Sequence, residues 1–94
     1  MITLEFRSYD EAKEIYRYLK QIIFKDMISS YYIASFKEED NYCFKFTLRY
    51  EEEEKEYSID LSNREIKIEC LNEYFNYKDI SFIMYPISEL LLEF

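Results

Sequence analysis

Ninety-four residues with 12 Lys and Arg against 20 Asp and Glu, net −8, give an acidic chain the length of a single domain, read here as spanning 1–94. Non-specific attraction to nucleic-acid phosphates or to anionic lipid needs a basic surface, so neither direct nucleic-acid binding nor membrane binding is expected. With no His and no Gly, the chain lacks the usual general base, the commonest metal ligand and any glycine-based phosphate loop, so no catalysis, cofactor or metal is expected.

Ile2–Arg7 alternates, with Ile2, Leu4 and Phe6 on one side, and reads as a short strand. Ser8 opens a helix over about 8–27, with Ser8-Tyr9-Asp10-Glu11 as a capping box. Ala12, Ile15, Tyr16, Leu19, Ile22, Ile23 and Met27 recur at three- and four-residue steps and form its apolar stripe. Lys13, Arg17 and Lys20 lie on another face, read as a solvated basic stripe.

After Ser29-Ser30, Tyr31–Lys37 reads as a strand in which Tyr31, Ile33 and Ser35 oppose Tyr32, Ala34 and Phe36. Glu38-Glu39-Asp40-Asn41 follows as a polar turn, with Asn41 in the left-handed conformation that glycine would otherwise supply. Tyr42–Tyr50 has the strongest alternation in the chain. Tyr42, Phe44, Phe46, Leu48 and Tyr50 face inward, and Cys43, Lys45, Thr47 and Arg49 face outward. Glu51–Glu56 forms a second acidic connection. Tyr57–Leu61 and Glu65–Leu71 are strands joined at Ser62-Asn63-Arg64, again with a left-handed Asn, and they bury Tyr57, Ile59, Leu61, Ile66, Ile68 and Cys70. Asn72–Lys78 is loop-like. From Asp79 the apolar residues are spaced as in a helix, kinked at Pro86, with a strand at 80–85 as the competing reading. The expected fold is α+β, in the order β-α-β-β-β-β-α. About five strands make an antiparallel-dominated sheet, with the first helix and a kinked C-terminal helix on its apolar face.

Cys43 and Cys70 make no metal or redox motif and point to opposite sheet faces, so no disulfide joins them. Cys43 lies near Lys45, which would lower its pKa, but no base is present to make it a nucleophile, and a structural thiol is the simpler reading. No apolar run reaches membrane-span length and no signal peptide opens the chain, so the cytoplasm is the expected compartment.

The negative charge is uneven. Residues 1–47 carry eight acids and seven bases, while residues 48–94 carry twelve and five. Two acidic clusters flank the central aromatic strand: Glu38, Glu39 and Asp40 on entry, and Glu51, Glu52, Glu53, Glu54 and Glu56 on exit. Crowded carboxylates repel one another, and a surface of this kind can imitate nucleic-acid phosphates in a basic groove. The plainer reading is two solvated turns. Tyr9, Tyr18, Tyr32, Tyr74, Tyr77 and Tyr85 lie off the core stripes, and tyrosine serves well as a contact residue. Partner-binding positions are therefore expected at the two acidic clusters together with Tyr74 and Tyr77.

The expected partner is a protein with a basic surface that handles nucleic acid. In composition the chain resembles small phage- or virus-encoded inhibitors of host defence, including anti-CRISPR proteins, which are often short, acidic and catalytically empty. That resemblance rests on no motif and transfers no residue. The alternative is an adaptor or small subunit that binds through a sheet edge or a Tyr-rich patch. Homodimerisation through an edge strand is a further option.

Overall fold

A computed structural model describes residues 1–29, 33–50 and 53–71. Within them run β1 (Ile2–Glu5), α1 (Tyr9–Ser29), β2 (Ile33–Asp40), β3 (Cys43–Tyr50), β4 (Glu53–Ser62) and β5 (Glu65–Cys70). All five strands pair antiparallel in the order β1-β5-β4-β3-β2, giving an α+β arrangement. The kinked C-terminal helix, Pro86 and the alternative strand at 80–85 lie outside the described residues.

The helix begins where the capping signal placed it. Ser8 Oγ accepts the Glu11 amide at 3.2 Å, satisfying one of the first-turn donors left without a helical partner. The apolar stripe then packs on the sheet. Ala12, Ile15, Tyr16, Leu19 and Ile23 are buried, and Ile22 and Met27 partly so. Alternation in the strands supplies the facing layer: Phe44, Phe46 and Leu48 from β3, Tyr57, Ile59 and Leu61 from β4, and Ile66 and Ile68 from β5. Phe44 is the hub. Its ring lies 5.4 Å from both Tyr16 and Phe36 and 6.4 Å from Phe46, which stacks on Tyr57 at 5.5 Å. Each fully buried aromatic of this kind contributes about 2–3 kcal/mol by removal from water.

The structure corrects four local expectations. First, Glu38, Glu39 and Asp40 are not a turn but the end of β2, and only Asn41 and Tyr42 turn the chain. Asp40 Oδ1 accepts the Tyr42 amide at 2.7 Å, so an aspartate side chain closes the turn. Asn41 therefore needs no left-handed backbone. Among the described residues Asn63, at φ 54°, is the one non-glycine with positive φ. Second, Tyr42 sits in that turn and is exposed rather than facing the core. Third, strict alternation fails in β2. Ile33 pairs Leu48 while Ser35 pairs Thr47, so Ala34 is the extra residue of a bulge, and Ile33 and Phe36 both reach the apolar side. Tyr31 and Tyr32 lie outside the described residues. Fourth, the glutamate run is not a loop throughout. Glu53, Glu54 and Glu56 belong to β4, opposite Tyr50, Arg49 and Thr47.

Among the described residues, the two outer strands both carry features that discourage pairing with another strand. β1 is four residues long, and β2 is interrupted at two points and ends in three carboxylates.

Candidate functional site

The side of the sheet away from α1 is polar, and its layout follows from strand register. Across the centre, Lys67 of β5 pairs Asp60 of β4, which pairs Cys43 of β3, which pairs Asp40 of β2. Beside that row lie Glu69, Ser58, Lys45 and Lys37, and then Glu56, Thr47 and Ser35. At the β1 side Glu5 stands directly opposite Glu65. Among the described residues, carboxylates on this face outnumber cations, which are Lys37, Lys45, Arg49 and Lys67.

The expected partner-binding residues fall in different environments. Glu38 points to the helix side and meets Lys20 at 2.8 Å. Glu39, the extra residue of the second β2 bulge, lies 3.5 Å from Lys45 and 3.7 Å from Lys37. Those two lysines are directly opposed, so Glu39 relieves a like-charge cross-strand pair. Asp40 is engaged with the turn. Glu54 accepts from Arg49 Nε at 3.1 Å and Nη2 at 2.8 Å. Glu53 is exposed, and Glu56 is half-buried opposite Thr47. Glu51, Glu52, Tyr74 and Tyr77 lie outside the described residues. Of the acids singled out in the sequence, Glu38, Glu39 and Glu54 are thus met by cations within the fold.

The carboxylates that sequence reasoning passed over are the less compensated ones. Glu5, Glu65 and Glu69 have no cation within 4.0 Å among the described residues. The signal was present in Glu65-Ile66-Lys67-Ile68-Glu69, whose alternation turns Glu65 and Glu69 outward. The pairing of β1 with β5, which sets Glu5 against Glu65, is a long-range fact that no local pattern carries.

At the centre of the face, Ser58 is buried and donates to Asp60 Oδ2 at 2.8 Å, and its Oγ lies 4.0 Å from Cys43 Sγ. Burial, followed by the hydrogen bond and charge of Asp60, pushes the Cys43 thiol up to about 11. The expected lowering by Lys45 is overturned: burial first, and Asp60 after it, raise the thiol instead. Both cysteines are free, consistent with their positions on opposite faces.

A second feature lies on the helix side, where α1 passes the β2–β3 turn. Tyr9, Lys13, Tyr16, Arg17 and Lys20, on successive turns of α1, line a cavity of about 310 Å³ closed by Asn41, Tyr42 and Leu61. The Leu61 amide donates to the Tyr42 carbonyl at 2.7 Å, extending the β3–β4 ladder under this end of the cavity. Lys13 Nζ lies 5.9 Å from the Tyr9 ring centre and Lys20 Nζ 5.7 Å from that of Tyr16. Tyr16 is buried, and its hydroxyl has no hydrogen-bond partner among the described residues. Desolvation raises the Tyr16 hydroxyl above its ordinary value, and neighbouring Cys43, Asp40, Glu38 and Asp60 add to the rise. The stripe read as a plain solvated face is therefore one wall of a concavity. Of the remaining off-stripe tyrosines, Tyr9 is partly buried against the core and Tyr18 is exposed, while Tyr32 and Tyr85 lie outside the described residues.

Among the described residues no group of three or more Cys, Asp or Glu side chains is placed to hold a metal ion, and no helix is long and apolar enough to cross a membrane. Compared with known protein families, curated proteins and solved structures, the chain finds no match.

Proposed function

We propose that this protein is a non-enzymatic binding module whose open, acid-rich sheet face docks on a basic surface of a partner protein. The partner surface is one that normally holds nucleic-acid phosphates, so the module acts as a small inhibitor. The observation that carries the reading is the opposition of Glu5 and Glu65 with no cation within ion-pair distance among the described residues. Like charges directly across a strand pair are destabilising. Their retention on an exposed sheet face is accounted for when an external cation completes them.

The binding region moves accordingly from the two expected clusters toward the β1–β5 side of the sheet. Glu5, Glu65 and Glu69 lead, and Glu53, Glu54 and Glu56 lie farther along the same sheet. A triple variant, Glu5→Gln, Glu65→Gln and Glu69→Gln, keeps the fold because all three sites are on the polar side. Immobilised parent and variant are used to capture proteins from a host-cell lysate at low and high salt. A basic nucleic-acid-handling protein held by the parent, eluted by salt and missed by the variant supports the reading. Capture that is equal for both chains refutes it.

A second reading, an adaptor that binds through an aromatic patch, draws on Phe24. The residue is 46% exposed, and its ring meets Phe36 edge-on at 5.7 Å beside β2. That reading calls for capture that resists salt and is lost in Phe24→Asp.

A further inference from the structure

Three cations of α1, Lys13, Arg17 and Lys20, line the cavity beside it within an acidic chain. Lys20 is engaged by Glu38. Lys13 and Arg17 have no carboxylate within ion-pair distance among the described residues. The overall charge of −8 repels anions at a distance, but at physiological salt that field is screened within about 8 Å. A ligand inside the cavity therefore responds to the nearby charges, which are Lys13, Arg17 and Lys20 in the lining and Glu38 and Asp40 beside it.

Two further properties narrow the ligand. Tyr42 is 53% exposed at the rim, and neither its ring nor that of Tyr9 stacks on another aromatic among the described residues. An unstacked tyrosine beside an amide side chain, Asn41, suits a planar heterocycle that offers both a face and polar edges. The cavity volume, about 310 Å³, is at the small end of ligand sites and takes one compact molecule rather than a length of polymer. Guanidinium and ammonium groups on adjacent helical turns suit a phosphate, which Arg17 can bind through two parallel N–H donors while Lys13 supplies a point charge.

We propose that this cavity binds a nucleoside phosphate of mononucleotide size, with the phosphate held by Lys13 and Arg17 and the base laid against Tyr42 beside Asn41. Tyr16 forms the apolar floor, and its partnerless hydroxyl beneath the surface marks a place where polar capacity is unused. This site is on the opposite side of the sheet from the acid-rich face, so it stands or falls independently of partner docking.

The test is a titration of the ¹⁵N-labelled protein with AMP, followed by amide shifts, with adenosine and inorganic phosphate titrated separately. The expected result is saturable movement of amides in Tyr9–Lys20 and at Asn41–Tyr42, with adenosine and phosphate each binding at least about tenfold more weakly than AMP. Arg17→Gln, an exposed substitution that leaves the fold intact, weakens AMP by about tenfold or more, as expected for one charge-assisted contact. Tyr42→Ala weakens AMP and leaves phosphate unchanged. The proposal is overturned by the absence of saturable shifts at millimolar AMP, by phosphate alone binding as well as AMP, or by Arg17→Gln binding AMP like the parent.

Discussion

Lys20 Nζ lies 2.8 Å from Glu38 Oε1, joining the fourth turn of α1 to the end of outer strand β2. Both side chains are partly exposed, so the bridge is a surface one, and pairs of this kind contribute about 0–1 kcal/mol. A double-mutant cycle of Lys20→Ala and Glu38→Ala, followed by urea unfolding, should give a coupling in that range that shrinks with added salt. A coupling of several kcal/mol would mean that the pair is buried in solution.

The Cys43 thiol gives a pH dependence with a definite sign. Its folded value is raised to about 11 from an ordinary 9.0 by burial and Asp60, so the fold favours the neutral form. That contribution is complete below the unfolded value and is lost as pH rises through the folded one. The buried Tyr16 hydroxyl shifts in the same direction. The urea midpoint should fall between about pH 9 and about pH 11, and Cys43→Ser should flatten part of the fall. Near neutral pH Cys43 should react with thiol reagents more slowly than an unfolded control. Rapid modification of the folded protein would contradict the desolvated, Asp60-facing placement.

Removal of the partnerless hydroxyl at Tyr16 should cost little. A buried hydroxyl without a partner carries a desolvation penalty of about 1–3 kcal/mol, so Tyr16→Phe should be neutral or stabilising by up to roughly 1 kcal/mol. Tyr16→Ala removes the ring that packs on Phe44 and should cost about 3–5 kcal/mol. Thermal unfolding of both variants checks the pair of outcomes, and a marked loss in Tyr16→Phe would show that the hydroxyl is bonded.

Asn63 holds φ at 54° in the two-residue turn between β4 and β5. Asn63→Gly should be neutral or slightly stabilising, because glycine enters this region without a Cβ clash. Asn63→Val should cost about 1–2 kcal/mol, since a β-branched residue fits it poorly. Equal unfolding midpoints for the two variants would contradict the turn geometry.

The core was legible because it is written in periodicity. The 3.6-residue stripe from Ala12 to Ile23 and the alternation through Phe44, Phe46, Tyr57, Ile59, Ile66 and Ile68 each specify a buried side without reference to the rest of the chain. The features missed were those set by partners distant in sequence. Nothing local announces that Glu39 occupies a bulge between two lysines, that Arg49 reaches Glu54, or that β1 adds beside β5 and opposes Glu5 to Glu65. The turn at Asp40–Tyr42 was misplaced for a smaller reason. Three acidic residues looked like loop composition, but an edge strand tolerates charge on its solvent side, and the turn-closing group was the Asp40 carboxylate. The same limit applies to the cavity: Lys13, Arg17 and Lys20 were visible as a stripe, but only tertiary packing brings Asn41 and Tyr42 against them.

Docking through the open sheet face is most directly tested by carboxylate footprinting, in which accessible Asp and Glu side chains are amidated and quantified by mass spectrometry with and without the captured partner. Glu5, Glu65 and Glu69 should label readily in the free protein and be strongly protected in the complex, while Asp10, Glu11 and Glu14 on α1 keep their free labelling. Protection of the α1 carboxylates with Glu5, Glu65 and Glu69 still fully labelled would place the partner on the other side of the molecule and contradict the proposed function.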